Sequence, residues 1–504
     1  MISRSDFPAG GYALHVDVAL GPDGPVEDAI LEVADGRITR LAAATEYQSA
    51  PGATEPRRMP GMAIVPGIID VHHHIIEPFV KALTGGEPAQ MWRRIWLPLE
   101  AAATEESVYL GCKWTFLEAL RGGITTIVDH GIRSRSIADA IHRAADETGI
   151  RLVSSTGVYD LKNFTTTART PELVRDVDEA VKIADRHVSD CKNFERITPS
   201  LACGTVQSNS GTMIAALSRY CQDNDILFQI HANEHTLEVH AAIEAYGRRP
   251  IEYLCDIGAL HRTTLIAHAT LVTSDEMLML QQSGTAVAYN PVASMWKGNA
   301  VAPALDYINH GVRVGLGSDA TRNDGFRMID AAEAAQRIAY GMPRDDFSCG
   351  SGWRWLYAAT QGGADAALLG AETGSLAPGK KADFLLLDCC GPEVRPRWDF
   401  TWELVRYFDR ADIRAAFVDG VPIMTEGHST RYDSRQFVAT HESHAVQAVH
   451  KAGIVRLHSR ADDGWPATQG RQIPLRKADN PERLSDLPSA ESGAALLHKN
   501  KEAR

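Results

Sequence analysis

The sequence has no C-x-x-C pair, no apolar run of about 18 residues or more, and no excess of basic charge. Lys and Arg total 51 against 64 Asp and Glu, for a net charge of −13. Binding to nucleic-acid phosphates needs a basic surface, so nucleic acid is excluded as the main partner. Without a long apolar run a membrane span is not expected, and Met1–Pro8 has no apolar core for a secretory signal. Eight cysteines are scattered, and only Cys389 and Cys390 are adjacent. That usage predicts reduced thiols in a cytoplasmic protein, not a disulfide framework. There is no P-loop, no dinucleotide fingerprint and no internal repeat, so no nucleotide cofactor is implied.

What is present is an ordinary globular composition, 44% hydrophobic and 23% charged, with a change of texture along the chain. Residues 12–65 alternate like short strands, with a hairpin signal in Ile30–Val33, Asp35-Gly36 and Arg37–Leu41. A similar signal returns at Ala415–Met424 around Asp419-Gly420, after the buried-strand run Lys381–Asp388. From about 66 to 370, apolar runs such as Thr125–Val128, Leu227–Ile230, Thr264–Ala267 and Val312–Leu316 alternate with helical patterns such as Ser107–Leu120 and Thr212–Asn224. Strand–helix alternation over about 300 residues predicts an α/β fold with a (β/α)8 TIM-type barrel. The expected domains are a barrel at 66–370, a small β-sandwich assembled from 1–65 and 371–436, and an extension at 437–504. Ser459–Arg504 reads as a weakly structured tail.

The chemistry gathers at predicted strand ends. Val65–Val71 is an apolar strand that runs into His72-His73-His74, and alternation points His72 and His74 the same way. Paired imidazoles suit a borderline-soft metal such as zinc. Three more apolar runs end in His231, His268 and Asp319. A lone histidine after a strand is usually a hydrogen-bonded structural residue. Four such endings on one predicted barrel face favour a cluster.

Pro66-Gly67-x-Ile69-Asp70-x-His72-x-His74 resembles the opening signature of the amidohydrolase superfamily. Leu117–Asp129, His231-Ala232-Asn233-Glu234, Gly315–Asp319, Thr360–Ala364 and Gly374–Asp383 follow in the order of that superfamily's branch of triazine hydrolases and guanine, cytosine and 8-oxoguanine deaminases. The resemblance covers roughly residues 25–430. It implies one divalent metal per chain, Zn2+ with Fe2+ as the alternative, held by His72, His74, His231 and Asp319. It also implies that Asp319 takes a proton from the attacking water, His268 steadies the developing oxyanion, and Glu234 carries a proton to the ring nitrogen and leaving amine. The competing reading of Glu234 is a solvated carboxylate in the first turn of a helix.

Departures from the pattern narrow the reading. Arg196–Ala202, the predicted fourth strand, has no lysine to bridge two metals, which favours one ion. It also lacks the Pro-His dipeptide of members acting on adenosylhomocysteine, which argues against a nucleoside. Ala288–Ser294 stands where the branch often carries His-x-Pro-x-Ser-Asn. Gln90 and Trp92 occupy the segment from which related enzymes contact a heterocycle, although amphipathic-helix packing explains the tryptophan equally well. His130 is a candidate support behind the ligands, and Tyr289 and Trp296 are candidate pocket residues.

The expected function is metal-dependent hydrolysis of a non-peptide C–N bond, namely deamination of a small heterocyclic substrate: a purine, pterin, pyrimidine or triazine. Alternatives are hydrolysis of a urea, amide or cyclic amidine, triazine dechlorination, or a non-catalytic scaffold. A homodimer is expected by analogy with the fold.

Overall fold

The computed structural model describes residues 7–8, 10–48, 55–76, 78–84, 91–132, 134–161 and 174–454. Gln90 and the segment Ser459–Arg504 lie outside the described residues.

Eight strands form a parallel sheet in chain order: β5 (Ile68–His73), β6 (Ile124–Asp129), β7 (Arg151–Thr156), β8 (Ile197–Ala202), β9 (Leu227–Ala232), β10 (Thr264–His268), β11 (Ala286–Tyr289) and β12 (Arg313–Leu316). The helices between them, including Glu105–Arg121 and Gly211–Asp223, cover the outer face. Both faces of each strand are therefore buried, which is why the strands read as continuous apolar runs. Ile266 and Val287 pack outward with the helices, while Leu265, Ala286 and Ala288 turn inward to meet Ile69, Val71 and Val153. Ala364 and Ala366 of the short helix Gln361–Ala366 join that inner cluster and close one end of the barrel. The first and last strands meet where the Asp319 N–H donates to the His72 carbonyl, at 2.9 Å. The Ser318 N–H also donates to the Asp70 carboxylate, at 3.0 Å. The fold is a (β/α)8 barrel.

Both chain ends supply a second sheet. β1 (Tyr12–Gly21), β2 (Gly24–Ala34), β3 (Arg37–Ala43) and β4 (Arg57–Pro66) join β13 (Phe384–Asp388), β14 (Ile413–Val418), β15 (Val421–Thr425) and β16 (His428–Ser429). The strand order is β16-β15-β14-β13-β4-β1-β2-β3. Asp35-Gly36 and Asp419-Gly420 all have positive φ, the backbone that two-residue hairpins require. The sheet folds over itself: the Ile38 N–H bonds the Lys380 carbonyl and the Gly420 N–H bonds the Ala382 carbonyl. Leu14, Leu31, Ile38, Ile64, Phe384 and Phe417 fill the interior. Arg151 at the start of β7 ties the two sheets together. Its guanidinium is buried and donates to Asp383 at 2.7 and 3.0 Å and to Asp419 at 2.6 Å.

After the second sheet, a helix spans Ser434–Lys451 despite its polar composition. Asp433 caps it by accepting from the Gln436 N–H, and Phe437 docks on Trp114. Among the described residues no helix is long and apolar enough to cross a membrane.

Candidate metal centre

The strand ends of the barrel converge on five histidines and two carboxylates. In β5 the ladder to β6 is irregular between Asp70 and His73. Ile69 and Val71 belong to the inner apolar cluster, yet His72 faces the rings of His74, His231 and His268, with centroids 5.1, 4.9 and 5.4 Å away. His73 turns elsewhere, to the Asn323 side-chain amide oxygen. Asp70 braces the strand by accepting from the Ser318 hydroxyl and N–H. Gly317 makes the closure of the barrel feasible: a Cβ there would lie 2.9 Å from the His72 Cβ. Gly122 in the Gly-Gly motif serves a similar close approach, since its Cβ would lie 2.5 Å from the Asn323 carbonyl oxygen.

The donor set fits a metal ion. Nitrogens of His72, His74 and His231 lie within 4.8 Å of one another, and a second such group joins His72, His268 and Asp319. Asp319 Oδ1 is 3.5 Å from His74 Nε2. Both ring nitrogens of His72 are buried without a hydrogen-bond partner, a costly state that a ligand role for one of them relieves. His231 Nδ1 donates to the Gly204 carbonyl at 3.0 Å, which leaves the Nε2 lone pair for a ligand role. Burial lowers His72 and His74 well below the usual imidazole range, so both are neutral donors.

Around these, the backbone is bent to aim side chains. Asn233, His268 and Asp319 all have positive φ, which non-glycine residues adopt at a cost. The Asn233 side chain holds its turn by donating to the Leu271 carbonyl and to Glu276 and by accepting from the Ile251 N–H. Thr270 donates to the Glu234 carbonyl. The turn thus presents Glu234 before the helix Thr236–Tyr246 begins, and the solvated first-turn reading does not describe it. Its side chain is 11% exposed and faces His268 Nε2 at 3.5 Å. Desolvation would raise its pKa, but His268, Lys297 and His235 hold it below the ordinary range. The Asn290 amide donates to His268 Nδ1 at 3.1 Å, leaving the ring proton on Nε2, toward Glu234 and Asp319.

Several site residues were not singled out by sequence reasoning. Lys297 is buried, reaches Glu234 at 3.3 Å, bonds Asp319, and lies over the Trp96 ring. Asn299 donates to Glu234 at 2.8 Å. Lys297 ends the short helix Pro291–Lys297 and Asn299 follows it, both just beyond Ala288–Ser294, whose departure from the branch pattern was the nearest signal. Trp92 lines the cavity, as do Trp96, Tyr159 and Gln207. His130 packs on His231 at 4.2 Å and also lines the cavity. Tyr289 does not line it: it is fully buried beneath, donating to the Ala332 carbonyl. Trp296 points outward, and its neighbour Lys297 enters the site instead.

Residues 63–426 match the model of the amidohydrolase family. The chain belongs to the amidohydrolase family. Among relatives, it is 27% identical over 393 residues to a 5-methylthioadenosine/S-adenosylhomocysteine deaminase of Haloarcula marismortui, covering 77% of this chain and 88% of that one. Among solved structures, it resembles a zinc-bound adenosine deaminase from Xanthomonas campestris, with a TM-score of 0.78 and 21% identity over 88% of this chain and 99% of that one. It also resembles a zinc complex of atrazine chlorohydrolase from Arthrobacter aurescens, with a TM-score of 0.76 and 20% identity over 87% of this chain and all of that one. As a member of the amidohydrolase family it is a metal-dependent hydrolase.

Proposed function

We propose that the protein is a mononuclear zinc aminohydrolase that deaminates an amino-substituted N-heterocycle. The observation that carries this reading is Glu234, a largely buried carboxylate three residues beyond His231 that lines the cavity with Asp319 and faces His268. Ammonia is a poor leaving group and needs an acid, so a positioned carboxyl group favours deamination over displacement of chloride.

His72, His74, His231 and Asp319 would hold the ion. When bound, it supplies Lewis acidity that makes water nucleophilic near neutral pH. Asp319 accepts a proton from the attacking water. Glu234, ionised at rest, takes the other proton of that water and delivers it to the ring nitrogen as the C–O bond forms at the amino-bearing carbon. His268 Nε2–H donates to the oxygen as negative charge develops there. Glu234 then carries the proton held by Asp319 to the amine, the C–N bond breaks, and ammonia leaves with the ring carbon now bearing a carbonyl oxygen. Trp92 and Trp96 offer aromatic faces for a flat ring, and Gln90 remains a proposed contact.

The name of the Haloarcula relative supports a 5′-substituted adenosine as the first class to assay. The absence of Pro-His in β8 keeps free purines, pterins, pyrimidines and triazines in the panel. Eight cysteines without a disulfide support a cytoplasmic setting, and the fold supports a homodimer by analogy. The test is metal content of the purified chain together with ammonia release across that panel. At least one zinc per chain with ammonia from one ring class is expected. Metal without ammonia from any amine would overturn deamination in favour of urea, amide or halide hydrolysis, and absence of metal would favour the scaffold.

A further inference from the structure

A second group of metal-ligating side chains lies outside the barrel mouth. His142 is on the helix Arg135–Thr148, and His187 and Cys191 are on the helix Val177–Cys191. The two helices lie side by side over β7. The His-x-x-x-Cys spacing sets the second pair one turn apart on one helix face. All three side chains are buried, and their donor atoms lie within 4.8 Å of one another.

We propose that His142, His187 and Cys191 form a second binding site for a thiophilic divalent transition metal, of the zinc class, on the outer face of β7. Cys191 Sγ lies 3.9 Å from His142 Nε2 and 3.7 Å from His187 Nε2. A tetrahedral ion with about 2.3 Å to sulfur and about 2.0 Å to nitrogen sets those separations near ~3.6 Å. The same distances suit hydrogen bonds to sulfur, which is a weak partner and holds the two rings only loosely. His142 Nδ1 is buried without a partner. His142 Nε2 meets the Ser154 hydroxyl at 2.8 Å, and His187 Nε2 donates to the Ser154 carbonyl at 2.9 Å. That carbonyl also accepts from the Ser200 hydroxyl at 3.1 Å, so it keeps a donor if His187 turns to an ion. The Ser154 hydroxyl is placed to complete the set.

The ring electrostatics agree with a ligand role, whereas the thiol must give up a tightly held proton to bind. Burial, and then the neighbouring His187, lowers His142 to about 4, so its ring is neutral. Burial raises Cys191 to about 12, and the adjacent Asp190 adds to this while being engaged bidentately by Arg135. Metal binding there would release the thiol proton. Ser154 faces the helices, whereas the next residue, Ser155, bonds Gly131 on the cavity wall. The two metal clusters therefore lie on opposite faces of β7.

The test uses the full-length chain stripped of metal and titrated with Co2+, because a thiolate on Co2+ gives a near-ultraviolet charge-transfer band that histidine and carboxylate ligands do not. The wild type should take up about two ions per chain, with the band. Cys191→Ser should lose the band and about one equivalent, with catalytic activity retained. His72→Asn, which alters the barrel mouth alone, should keep the band. A wild type without the band, or a Cys191→Ser protein that keeps it, would overturn the site. The wild-type titration decides the matter even where a variant fails to fold, and it does not depend on the catalytic reading.

Discussion

The Glu234 carboxylate receives Asn299 and Lys297 and faces His268, so an amide in its place keeps much of the packing but cannot carry a proton. Glu234→Gln is expected to retain metal and lose about 10²–10⁴ in kcat. Normal turnover in that variant would remove Glu234 from the chemistry. Glu238 behaves differently. Burial pushes its carboxyl up to about 8, against three backbone N–H donors that pull it down. Unfolded, it would titrate in the ordinary glutamate range. The folded chain therefore keeps a proton that the unfolded chain releases, and stability falls as pH rises from that range through about 8. Urea unfolding of Glu238→Gln should show a smaller loss of midpoint between pH 5 and pH 8 than the wild type. His72, His74, His231, His268 and Asp319 stand out in the chain because each follows an apolar run at a strand end, and Glu234 because His231–Glu234 resembles the H-x-x-E motif. Lys297 and Asn299 do not. A lysine in a short segment carries no sign of burial, and the turn that brings it to Glu234 is a tertiary feature.

Between elements, Arg151 is the clasp. It joins the start of β7 to Asp383 and Asp419 of the second sheet, and Asp383 is 1% exposed. Arg151→Met would leave a buried carboxylate with its main partner gone, at a cost of about 3–5 kcal/mol measured by urea unfolding. A change within error would mean that Thr373 and the Asp419 N–H, which also bond Asp383, suffice. The two barrel helices expected from periodicity, Ser107–Leu120 and Thr212–Asn224, fall within two residues of the observed Glu105–Arg121 and Gly211–Asp223 at each end. The helix Ser434–Lys451 was hidden by its histidine- and serine-rich composition. A capping aspartate and one docked phenylalanine, and no long apolar stripe, hold it.

Across the whole molecule, the proposed ion joins residues from β5, β9 and the end of β12, so it should couple to global stability. Chelation should abolish turnover and lower the thermal midpoint, and added Zn2+ should restore both. An ion present at about 1,000 times its dissociation constant contributes about 4 kcal/mol. An unchanged midpoint with lost activity would indicate a preformed site that adds nothing to folding.

Strand–helix alternation, the Asp-Gly hairpins at both ends and the ordered motifs were enough to set the architecture and the family, because burial of both faces of a parallel sheet leaves its pattern directly in the residues. The tertiary structure alone decided which polar side chains share a cavity. Gly317 lets β12 close on β5, a ladder irregularity turns His72 inward, and the helix after β11 swings Lys297 to Glu234. Those outcomes depend on contacts between segments far apart in the chain, and local sequence pattern does not encode such distances.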